Sequence, residues 1–259
     1  CFSGRRRHTR YLVTWSSDVL SSDLGPAGEW GRVLAPVVDT SRRTSAGAEL
    51  PDVVSLADVL GDAALIRDPV AIQGRWDESL PLRAAVGMSE EGSFCLDLRL
   101  DGPHGLIAGT TGAGKSEFLQ SWIASLALAH SPNTINFLLV DYKGGPTIEP
   151  FRKLPHAVDL ATNLDGNAVD RIFIAINAEM NRRSSILAKA GVADLVEYRK
   201  KVIPTLRPGS PFPTTFPHLF VIVDEFAEMM TQNPDYKVKF ESITRLGRSF
   251  GVSLILATQ

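Results

Sequence analysis

The chain predicts an α/β fold: a mostly parallel sheet between helices, entered through a small lead-in that is part β-rich and part helical. Three observations carry this. From about residue 103 onward, short apolar runs alternate with helical stretches, the pattern of a parallel sheet covered on both faces. The octapeptide Gly109-Thr110-Thr111-Gly112-Ala113-Gly114-Lys115-Ser116 sits between the first such run and the first long helix. A later apolar run ends in two carboxylates, Asp224 and Glu225.

Taken in order, residues 1–48 receive no assignment beyond a strand-like Tyr11-Leu12-Val13-Thr14-Trp15 and a linker-like stretch over 40–47. Residues 49–102 read as a lead-in. Its helix spans about 51–67 around Leu56, Val59 and Leu60. Its strand alternates Phe94, Leu96, Leu98 and Leu100 with Cys95, Asp97 and Arg99, giving one mainly polar face. Residues 103–259 form the core. Gly105-Leu106-Ile107-Ala108 is a buried strand, and a helix follows from Ser116 to about His130 with Phe118, Leu119, Trp122, Ile123, Leu126 and Leu128 as apolar positions. Further strands are expected over 135–140, 156–161, 219–223 and 252–257. Helices are expected over 166–190 and 235–250, and a Pro-rich loop over 204–217. The first of these helices places Val169, Ile172, Phe173, Ile176 and Met180 on one face and stops at Gly191.

Bulk properties narrow the function. Hydrophobic residues make up 44% and charged residues 22%, an ordinary globular composition. A formal net charge of −2 argues against a generally basic nucleic-acid surface. Arg5, Arg6, Arg7 and Arg10 form the one basic cluster, read as a solvated segment or as a juxtamembrane or nucleic-acid contact. Cys1 and Cys95 are too few for a zinc site or a disulfide framework. No run approaches the ~20 apolar residues that span a bilayer, and no signal-peptide pattern is present. A start on Cys1 and a stop at Gln259, straight after an apolar strand, read as a fragment with a core truncated at its C-terminus.

The octapeptide fits G-x-x-x-x-G-K-[ST], the loop that wraps nucleotide phosphates. Glycines let amide N–H groups approach phosphate oxygens. Lys115 offers a compact positive charge to the β- and γ-phosphates, and the Ser116 hydroxyl can ligate Mg²⁺. The helix that follows points its positive dipole end at the same anions. The cofactors expected are therefore ATP and Mg²⁺. Asp224 can hold Mg²⁺ through its water shell, and Glu225 is placed to orient and deprotonate the attacking water. Gln259 ends the last strand, where a polar amide could sit between the metal-binding carboxylate and the γ-phosphate. An arginine donated across a subunit boundary would add to catalysis; Arg182, Arg183, Arg245 and Arg248 are the candidates. Asp141-Tyr142-Lys143-Gly144-Gly145 lies at the C-terminal edge of the sheet, either as a contact to nucleotide, neighbour or translocated substrate or as a plain turn. His104, His156 and His218 lack metal spacing and read as structural.

These residues together resemble the FtsK/SpoIIIE group of P-loop motors, in particular the first motor domain of the type VII secretion ATPases EccC and EssC. The resemblance rests on GTTGAGKSEFLQ at 109–120, FLLVDYKGG at 137–145, LPH at 154–156, TNLD at 162–165, PHLFVIVDEFAE at 217–228 and LGRSFGVSLILATQ at 246–259. It covers about residues 50–259. Pro146-Thr147-Ile148 is not the usual continuation after the two glycines. The resemblance implies a RecA-like motor that hydrolyses ATP with Mg²⁺ and assembles in rings or against adjoining motor domains. Lys115, Ser116, Asp224 and Glu225 match its nucleotide and hydrolysis positions, and Gln259 its sensor position. It implies a cytoplasmic domain of a membrane-anchored protein at the bacterial cell membrane, with a secreted protein substrate and a secretion membrane complex as partners. The alternative is an ATP-driven translocase whose partner is DNA.

Overall fold

The computed structural model describes residues 53–61, 68–76, 81–162 and 166–258. The expectations for residues 1–48 and for Gln259 lie outside the described residues. Five strands form the main sheet: β3 (Gly105–Ala108), β4 (Ile135–Asp141), β5 (Ala157–Thr162), β6 (His218–Asp224) and β7 (Val252–Thr258). Their spatial order is β3-β7-β6-β4-β5, and every pairing is parallel. The last strand in sequence is thus inserted between the strand that enters the glycine loop and the strand that carries Asp224. A separate antiparallel pair, β1 (Arg83–Ser89) and β2 (Gly92–Asp97), precedes the sheet.

Because side chains alternate along a strand, the central strands feed two cores. Phe137, Leu139, Phe220 and Ile222 point to one face, where α3 (Lys115–Ala129) covers them with Leu119, Trp122, Ile123 and Leu126. Leu138, Val140, Leu219, Val221 and Val223 point to the other. There α4 (Gly166–Ala190) supplies Val169, Phe173, Ile176 and Met180, the stripe expected from its spacing. Each such side chain contributes about 1.5–3 kcal/mol on burial, so two-sided burial of β4 and β6 dominates the stability of this sheet. The lead-in shares the first core: Leu82 and Ala84 are buried with α3 and the sheet.

The lead-in departs from expectation in two places. Its first helix, α1 (Leu56–Leu60), is only five residues long. Ser55 and Asp58 form a reciprocal capping box, and Gly61 (φ 74°) ends the helix in the left-handed conformation. A second short helix, α2 (Pro69–Arg75), follows. The alternating strand stops at Asp97, so Leu98 and Leu100 fall in a turn. Asp97 is buried while Phe94 is 51% exposed, the reverse of a polar outer face. The cause is Asp97's carboxylate, which accepts from Arg99 N at 3.0 Å and pairs with Arg83 Nε at 3.3 Å. Two helical pieces of the core were not expected: α5 (Leu195–Glu197), which runs on through irregular helical turns to Thr205, and α6 (Phe226–Gln232). The helix expected over 235–250 is α7 (Tyr236–Phe250). Among the described residues, no helix is long and apolar enough to cross a membrane.

Candidate active site

The glycine loop turns between β3 and α3. Gly112 (φ 80°) and Gly114 (φ 83°) both take left-handed backbone, which a side chain would strain. Gly114 caps α3 without any side-chain hydrogen bond, so the first-turn amides keep their capacity for an anion. The loop is anchored to β7, where Thr258 O accepts from Gly109 N at 3.3 Å.

Residues from opposite ends of the core meet here. Lys115 Nζ lies 3.0 Å from Asp224 Oδ1 and 3.6 Å from Glu225 Oε1, with the Lys115 and Asp224 side chains nearly buried. Asp224 ends β6, and its Oδ1 also accepts from Glu225 N at 3.0 Å. Glu225 is the one non-glycine with positive φ among the described residues (φ 58°, ψ 40°), and it caps α6. Backbone held in that region costs of order 1–3 kcal/mol and persists where the surroundings enforce it, commonly at functional sites.

Two contributors, Thr147 and Gln120, were given no site role by sequence. Thr147 Oγ1 donates to Ser116 Oγ at 3.2 Å, and Gln120 Nε2 donates to Thr147 O at 2.8 Å. Thr147 belongs to the unusual continuation after Gly145, so the departure itself was the signal. Lys143 Nζ reaches Glu228 Oε2 at 2.5 Å and Glu225 Oε2 at 3.9 Å. Asp141 is paired in register with Asp224. Its Oδ1 accepts from Lys143 N and Gly144 N, while Oδ2 is buried without a partner. Burial, with the Asp224 charge adding to it, pushes the Asp141 carboxyl above the usual carboxylate range.

The donor set fits hydrated Mg²⁺. The Ser116 and Thr147 hydroxyls bond each other, the Asp224 carboxylate pairs with the adjoining Lys115, and no cluster of three or more His, Cys, Asp or Glu forms a closed cage among the described residues. Mg²⁺ keeps several waters and needs few protein ligands.

A sequence model of the FtsK/SpoIIIE family matches residues 72–259, most of the chain. The chain belongs to the FtsK/SpoIIIE family. It is 38% identical over 218 residues to the ESX secretion system protein YukB of Bacillus subtilis, covering 81% of this chain and 14% of that protein. Over 216 residues it is 38% identical to the type VII secretion system protein EssC of Staphylococcus aureus, with the same coverage of 81% and 14%. The cytoplasmic domain of the Thermomonospora curvata type VII secretion ATPase EccC superposes with a TM-score of 0.71 at 37% identity, over 80% of this chain and 25% of that one. The chain therefore spans 14% of the length of these curated relatives. The RecA-like expectation agrees with this likeness and with the parallel sheet.

In this FtsK/SpoIIIE chain the four arginines differ in availability. Arg183 is only 2% exposed. Its guanidinium donates to Glu179 Oε1, Phe250 O and Gly251 O, tying α4 to the turn before β7. That burial leaves almost none of it at the surface. Arg183→Ala is expected to destabilise by about 3 kcal/mol, because buried partners lose their donor. A drop in thermal midpoint with unchanged nucleotide affinity would show this. Arg182 is half exposed but held by both Glu179 oxygens at 2.7 Å. Arg245 and Arg248 are exposed on α7 and make no ion pair among the described residues. The histidines are structural. His104 Nδ1 accepts from Leu254 N and its Nε2 donates to Thr244 O; His156 donates to His130 O; His218 bonds Ser253 Oγ.

Proposed function

We propose that this chain is the Mg²⁺-dependent, ATP-hydrolysing motor domain of a bacterial type VII protein export system. The observation that carries the reading is the 3.0 Å contact between Lys115 Nζ and Asp224 Oδ1, which joins a phosphate loop to a carboxylate pair across the inserted strand. The amides of 109–116 and the Lys115 ammonium bind the triphosphate. Ser116 and Asp224 would hold Mg²⁺, which when bound neutralises charge on the β- and γ-oxygens. Glu225 orients water and accepts its proton. Gln259 is proposed as the γ-phosphate sensor. Arg245 and Arg248 are the best placed of the candidates to serve a neighbour in a ring or an adjoining motor, a contribution worth ~10³–10⁵ in rate. The cargo is a secreted protein, and the domain faces the cytoplasm from a membrane-anchored machine. The three secretion relatives and the net charge of −2 support export over DNA movement.

The test is ATP turnover by the purified protein with Mg²⁺ and with chelator, beside a salt titration of duplex DNA binding. Turnover that vanishes with chelator, and no DNA affinity, is the expected result. Tight DNA binding that falls steeply with salt would replace export with DNA translocation.

A further inference from the structure

We propose that Lys143 positions the Glu225 carboxylate for hydrolysis and that Glu228 competes for it. The inference rests on the hydrolytic reading above. Each Glu225 oxygen faces a different ammonium group: Oε1 is 3.6 Å from Lys115 Nζ, and Oε2 is 3.9 Å from Lys143 Nζ. Both separations are longer than a hydrogen bond, so the contacts are electrostatic and can be exchanged without breaking a directional bond. Glu228 lies one turn further along α6 and holds the same Lys143 ammonium more closely, at 2.5 Å.

The base of Lys143 is fixed. Asp141 Oδ1 accepts from Lys143 N at 3.1 Å and from Gly144 N at 2.7 Å. Next to it, Tyr142 OH donates to Gln232 Oε1 at 2.5 Å, which fastens the segment to α6. At the other end, Thr147 donates to Ser116 Oγ and receives Gln120 through its carbonyl, which fastens it to α3. The segment 141–147 is therefore a strut between the helix carrying Ser116 and the helix capped by Glu225. The strut fixes the backbone of Lys143, and its half-exposed side chain lies within reach of both acids.

The division of labour follows. Lys115 is the group that phosphates attract, so Oε1 is the oxygen whose partner changes when ATP binds. Oε2 remains opposite Lys143, which limits rotation of the carboxylate and aims Oε1 at the attacking water. Lys143 acts through Glu225.

The experiment compares three variants of the purified protein in Mg-ATP turnover and in affinity for a non-hydrolysable ATP analogue. Lys143→Met is expected to lower kcat about tenfold, less than the ~10²–10⁴ attached to a general base itself, with KM and analogue affinity within about twofold of wild type. Lys143→Arg is expected to restore most of the loss. Glu228→Gln releases Lys143 toward Glu225 and is expected to keep kcat at or above wild type. Wild-type kcat in Lys143→Met would overturn the proposal, as would a parallel loss of analogue affinity. So would a Glu228→Gln variant as slow as Lys143→Met, because the Lys143–Glu228 tie would then be the whole effect. A wild-type protein that binds the analogue and never turns ATP over would sink the hydrolytic reading, and this inference with it.

Discussion

Glu225→Gln is expected to leave nucleotide affinity nearly unchanged and to slow turnover by roughly 10²–10⁴, the contribution of a positioned general base. The amide has the same shape and tolerates the left-handed backbone no worse, so the φ of 58° imposes no new cost. What disappears is the carboxylate's capacity to take a proton. Its separation from Lys115 Nζ, 3.6 Å, is too long for binding of the lysine to depend on it. Single-turnover assays beside analogue titration would separate the two quantities. Retention of wild-type turnover in Glu225→Gln would move the base elsewhere, and Asp224, bonded to both Lys115 and Glu225 N, would be the next residue to examine.

Lys115→Ala removes a charge with two partners in succession. With nucleotide, the phosphates lose their only buried cation in this loop, and affinity is expected to fall at least about a hundredfold, or about 2.7 kcal/mol. Without nucleotide, Asp224 is left as a nearly buried carboxylate whose ion-pair partner is gone. Removing one member of such a pair costs about 3–5 kcal/mol. The variant is therefore expected to melt lower even in nucleotide-free buffer, and to show no upward shift when ATP is added. Asp224→Asn separates the effects, since it relieves the buried charge while keeping Lys115 for phosphate. Unchanged nucleotide affinity in Lys115→Ala would contradict the phosphate-loop assignment.

Much of this architecture was legible because it is written in local patterns. The helical spacing of Val169, Phe173, Ile176 and Met180 placed α4 and its buried face, and the apolar run ending at Asp224 placed β6 with its acids. The pairing of 109–116 with 224–225 was legible for a different reason: each stretch has a chemistry that makes sense only beside the other. The lead-in was harder. A capping box and a glycine cut α1 to five residues, and Asp97's hydrogen bonds outweighed the alternation that would have turned it outward. Arg183 also looked like any surface arginine in sequence, since only the tertiary fold brings it to the carbonyls of Phe250 and Gly251. Helix α6 was hidden because its start is set by the unusual backbone at Glu225 rather than by a capping side chain. Lys143 stood in a segment that sequence left open between a contact and a plain turn, and Thr147 just beyond it, because their partners lie on α6 and α3.

The inserted strand β7 ends in a residue with two handles. Thr258 receives the Gly109 amide on its carbonyl and the Ala227 amide, at 3.3 Å, on its hydroxyl. The glycine turn and the helix behind Glu225 are thereby yoked to one hinge pin. A push along this strand would tilt the glycine turn and the helix behind Glu225 together, so load applied to β7 would reach both through a single fulcrum.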